Sequence, residues 1–128
     1  MPTTRTIYVK RAGQSHQLIL RDSEGHVPGN DRLTTNVDVN DTVTWELDTD
    51  SGLTSLEGVL KVVSTDPSYN RNAVTLLKND LSSTDGKYTA TVVSVSPGKD
   101  KFENYKIGFK VPNDTTTYWD DPTLKMNT

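Results

Sequence analysis

Apolar and polar residues alternate with a period of two through most of this chain, and clusters of turn-forming residues interrupt the alternation at short intervals. The clearest stretch is Asn36–Leu47. Val37 and Val39 precede Asn40-Asp41, after which Val43, Trp45 and Leu47 share one face while Thr42, Thr44 and Glu46 take the other. The pattern predicts strand, tight turn, strand, with Trp45 in the core. A second long hairpin is predicted where Lys87–Val95 and Asn104–Val111 flank Pro97–Asp100, with Tyr105, Ile107, Phe109 and Val111 lining one face.

The remaining segments read in the same way. Thr4–Lys10 alternates with Ile7 and Val9 inward, Gln17–Arg21 is β-prone, and Asp22–Arg32 is a loop marked by Pro28-Gly29-Asn30. After the turn cluster Asp48–Gly52, the helical spacing of Leu53, Leu56 and Leu60 competes with a strand over Gly58–Val63. The β-branched Val59, Val62 and Val63 favour the strand. Thr65–Asn72 reads as loop, Ala73–Leu77 as a brief strand and Lys78–Gly86 as turn-rich. After Pro112, the polar tail carries Tyr118-Trp119 and then Thr123–Met126, expected to close the sheet as a short edge strand.

About seven short strands with no long helix point to one all-β domain over residues 1–128, built as a two-sheet antiparallel β-sandwich. Two segments also resemble known families. Val39-Asn-Asp-Thr-Val-Thr-Trp45 resembles the V-x-G-D-T-V-T-W segment of cupredoxin-like domains, with Asn40 in place of the Gly. Asp85-Gly-Lys-Tyr-Thr-Ala-Thr-Val92 is similar to the late strand of immunoglobulin-like and PKD-like modules. The resemblance implies sandwich architecture more than an activity. A cupredoxin's blue-copper site would need two His, one Cys and an axial ligand. The chain has no Cys, so that site is excluded, along with disulfides and thiolate zinc.

Composition adds bounds. The apolar fraction of 32% is low, and Thr, Ser, Asp and Asn fill the remainder, which suits strands with one wet face. No stretch has the length of a signal sequence or a membrane span, so a cytoplasmic protein is the expectation. Net charge is -3, but it is unevenly placed: residues 1–21 carry Arg5, Lys10, Arg11 and Arg21 without an acid, whereas 22–57 carry nine acids against Arg32 alone. The acidic segment argues against nucleic acid as a partner. The segregation itself suggests turn residues and solvated faces, or a basic surface meeting an acidic one in self-association.

Candidate chemistry is sparse. His16 and His26 could join carboxylates around zinc or copper(II), and Asp48-Thr-Asp50 invites a calcium reading that would also draw on Asp22, Asp31, Asp120 or Asp121. The EF-hand spacing fails, since the twelfth residue from Asp48 is Val59. No phosphate loop and no nucleophile with an adjacent base stand out, so neither an enzyme nor a cofactor is expected. Tyr118 and Trp119 are the candidate contact residues, since exposed aromatics anchor protein interfaces or stack on sugars. The expectation is a non-enzymatic module that binds protein or itself, with a calcium-supported or carbohydrate ligand as the alternative.

Overall fold

The computed structural model describes residues 2–62, 72–78 and 82–128, and among these there are ten strands and no helix. The first sheet has the order β2 (Leu18–Asp22), β1 (Thr4–Arg11), β4 (Thr42–Leu47), β7 (Lys87–Thr91), β6 (Ser82–Thr84). In the second, β3 (Thr34–Val37), β10 (Thr123–Met126), β8 (Phe102–Lys110) and β5 (Ser55–Lys61) lie side by side, and β9 (Tyr118–Asp120) also pairs with β8. Alternation places one face of each sheet in a shared interior. Ile7, Val43 and Trp45 meet Tyr105, Ile107 and Phe109 there, all with no exposure. Trp45 and Tyr105 touch edge to face, with ring centroids 5.2 Å apart at 65°.

The all-β, two-sheet expectation holds, with three corrections. Both sheets are mixed rather than purely antiparallel, because β1 runs parallel to β4 and β3 parallel to β10. Neither predicted long hairpin is one: β3 and β4 lie in different sheets, and so do β7 and β8. The bends Asp38–Asp41 and Pro97–Asp100 are arches that carry the chain from one layer to the other. A two-residue type I′ hairpin needs positive φ at both central residues, and at Asn40-Asp41 only Asn40 has it, at 64°. Asp85-Gly86 does meet the requirement, at 53° and 78°, and it closes the true β6–β7 hairpin with Thr84 opposite Lys87. Finally, β10 lies between β3 and β8 instead of at an edge, with Leu124 and Met126 fully buried.

The strand predicted over Gly58–Val63 begins earlier, at Ser55, and bulges between Leu56 and Gly58. Ala73–Leu77 contributes a single bridge from Leu77 to Val92. That segment is pinned by Glu103, a carboxylate on the inward face of β8 that accepts the N–H groups of Leu76 and Leu77 at 2.8 and 2.9 Å. Most of the loop predicted at Thr65–Asn72 lies outside the described residues.

Candidate functional site

The segregated charges meet inside the chain. Arg5 on β1 donates from Nε to Asp41 at 2.9 Å, from one terminal nitrogen to Glu24 at 2.7 Å and from the other to Asp38 at 3.0 Å. The Asp41 side chain is fully buried. Burial pushes its carboxyl upward, but the N–H groups of Asp38 and Thr3 and the Arg5 guanidinium outweigh this and hold it below the usual carboxylate range. Arg21 grips Asp48 with two bonds of 2.9 Å. Two cations of the basic first segment, Arg5 and Arg21, are thus paired within the chain to four acids of the second, Glu24, Asp38, Asp41 and Asp48.

The proposed metal residues are dispersed. The Arg21 fork occupies both oxygens of Asp48, and with burial opposing it this fork is the main cause of a lowered Asp48 pKa. Asp50 sits in an exposed left-handed turn position at φ 52°. His16 stacks on Tyr118 with centroids 4.2 Å apart, and its Nε2 is 3.9 Å from Asp114. His26 instead faces Asp22 and Glu24. Among the described residues, Asp22, Glu24 and His26 are the one group of acids and histidine gathered closely enough to share an ion, their ligand atoms lying within 4.8 Å of one another. Sequence reasoning missed Glu24, whose place beside Asp22 and His26 comes from the turn that follows β2, closed by the Gly25 N–H donating to the Asp22 carbonyl at 3.1 Å.

Asp31, Asp120 and Asp121 do come together, where β9 meets β2. Asp120 accepts the Leu18 N–H at 2.9 Å, and its pKa is raised to about 6. Burial is the largest cause; the charges of Asp31 and Asp121, and a hydrogen bond with Asp31, act in the same direction, against the Leu18 N–H.

Tyr118 and Trp119 lie on opposite faces of β9, as alternation requires. Tyr118 turns inward against Phe109, at 6.0 Å between centroids, and its hydroxyl donates to Asp114 at 2.6 Å. Trp119 turns outward and lies over the facing pair Gly58 and Gly108, where its ring takes up the space of the missing side chains. A Cβ built on Gly108 would be 2.7 Å from the indole. The ring remains 43% exposed. Leu60 and Lys106 are paired two residues further along the same outer face, with Leu60 47% exposed and the Lys106 ammonium 5.8 Å from the indole. Glu57 and Lys110 form an ion pair of 3.2 Å at its margin.

Compared with protein-family models and with curated protein sequences, the chain has no match. No helix among the described residues is long and apolar enough to cross a membrane.

Proposed function

We propose that this chain is a non-enzymatic β-sandwich module that binds polypeptide through the outer face of its second sheet, with a second copy of the chain as occupant. The observation that carries the reading is the Trp119 indole, seated on two glycines with its other side toward solvent. A large ring already held in place loses little entropy on contact, the property of an interface anchor. Leu60 enlarges the apolar centre, and Lys106 with the Glu57–Lys110 pair supplies charges of both signs. Such a patch can pair with its own copy across a two-fold axis. A sugar platform is less well supported, because Tyr118 turns away and leaves a single ring. The calcium reading is also weaker, since Arg21 occupies Asp48. Among the sandwich families resembled, the two parallel pairings favour a cupredoxin-like over an antiparallel immunoglobulin-like arrangement.

Sedimentation equilibrium tests the proposal. Wild type is expected to gain mass as its concentration rises toward about 1 mM, the weak end of specific association. Trp119→Ala and Leu60→Glu are expected to abolish the gain, the latter without touching the core. A wild type that stays monomeric throughout refutes it, and an indole emission change with oligosaccharide alone would favour the carbohydrate rival.

A further inference from the structure

We infer that Asp22, Glu24 and His26 form a binding site for a divalent transition-metal ion of the zinc class, at the start of the loop that follows β2. The three donors differ in burial but converge. The Asp22 carboxylate is fully buried, Glu24 is 17% exposed, and His26 opens to solvent at 41%. The His26 Nδ1 is 2.8 and 3.1 Å from the two Asp22 oxygens and 3.7 Å from Glu24 Oε1. Around a tetrahedral ion with bonds of about 2.1 Å, neighbouring donors stand roughly 3.4 Å apart. The Nδ1 spacings bracket that value and all three ligand atoms lie within 4.8 Å of one another, so an ion enters by small side-chain shifts while it takes the place of the Nδ1 proton.

The surroundings hold the donors in position. Asp22 accepts from the Thr35 hydroxyl at 2.8 Å and from the N–H groups of Glu24 and His26 at 3.0 and 3.1 Å. Glu24 accepts from Arg5 at 2.7 Å and from the Asn36 N–H at 3.0 Å. Ligands fixed by outer partners lose less freedom on binding an ion. The local charge also favours a cation: Arg5 is shared among Glu24, Asp38 and Asp41, and among the described residues the ion-pair partner of Asp22 is the His26 ring. Of the three donors, His26 also lines a cleft of about 310 Å³, together with Val27, Pro28, Arg32 and Leu33, so its ring is the part of the site that solvent reaches. One imidazole with two carboxylates selects borderline ions over calcium or magnesium, which require oxygen donors throughout.

The test uses the untagged full chain with zinc, nickel or copper(II) chloride, and calcium chloride for comparison. Calorimetry is expected to show one zinc per chain and copper(II) bound more tightly, as the usual order of divalent affinities requires. His26→Ala should weaken binding at least tenfold, His16→Ala should leave it unchanged, and calcium should bind no more tightly than about 1 mM. The copper(II) resonance spectrum of wild type and of His16→Ala should carry coupling from one imidazole nitrogen, and His26→Ala should lack it. Should His26→Ala fail to fold, His26→Gln can still donate to Asp22 and serves in its place. Zinc binding that survives loss of His26, that depends on His16, or that is absent at about 1 mM overturns the assignment.

Discussion

Replacing Asp120 by Asn probes the junction that ties β9 to β2, and the outcome should depend on pH in one direction only. Asp120 is half-buried, its pKa stands at about 6 against a reference of 3.8, and burial is the largest cause. The native chain thus holds the proton more tightly than the unfolded one. The stabilisation from the protonated acid is complete below about pH 4 and is lost as pH rises through about 6. A shift of about two units corresponds to a ceiling of roughly 3 kcal/mol. Solvent screening at a half-buried site reduces this to about 1–2 kcal/mol. Asn resembles the neutral acid: its carbonyl can accept the Leu18 N–H and its amide can donate to Asp31. Urea unfolding of both proteins at intervals from pH 3.5 to 8 should therefore show no difference at the acid end, and Asp120→Asn more stable by about 1–2 kcal/mol at the other. A difference that stays constant with pH, or that narrows as pH rises, refutes the reasoning.

Arg5→Ala should cost about 3–5 kcal/mol in urea unfolding, because it leaves Asp41 charged and buried without its cation, whereas Arg21→Ala removes a cation that is itself 44% exposed and should cost distinctly less. Equal losses would mean that Arg5 is not the hub of its network. Gly108→Ala must displace the indole seated 2.7 Å from the new methyl group, at a cost of about 1–3 kcal/mol by overpacking. Adding Trp119→Ala should recover most of that loss, and additive penalties would contradict the seating. Tyr105→Phe should change stability in thermal unfolding by no more than about 1 kcal/mol, since neither the buried Tyr105 hydroxyl nor the Trp45 Nε1 beside it makes a well-formed hydrogen bond among the described residues. A clear loss of stability would contradict this.

The inward faces were legible in the sequence; the connections between them were not. Period-two alternation places Ile7, Trp45 and Tyr105 in the interior whichever sheet each strand joins, because the alternation reports only which side is dry. It carries no information on whether the next strand pairs with its predecessor or crosses to the facing layer. Asn40-Asp41 and Asp85-Gly86 look alike as turn dipeptides, yet one is in an arch and the other closes a hairpin. The difference is that Gly86 adopts positive φ without cost, whereas Asp41 is held by Arg5 and by two N–H groups. Of the candidate site residues, Trp119 was legible as an aromatic in a polar tail. Its seat on Gly58 and Gly108 depends on the pairing of β5 with β8, contacts distant in sequence. The His26 cluster was visible only in part, since Arg5 and Asn36, which hold Glu24, come from strands on either side of the loop.

The arch at Asp38–Asp41 and the charge segregation have a common origin. A hairpin turn at Asn40-Asp41 would project the Asp41 carboxylate into water, where a cation would add little. The arch brings it beneath β1, where Thr3 and Arg5 reach it as Asp38 and Val39 pass to the other layer. A buried acid is tolerable only if its partner is supplied from a different segment, and β1, parallel to β4, is the strand placed to supply one. Cations gathered in the first strands and acids in the following loops are what such closure requires.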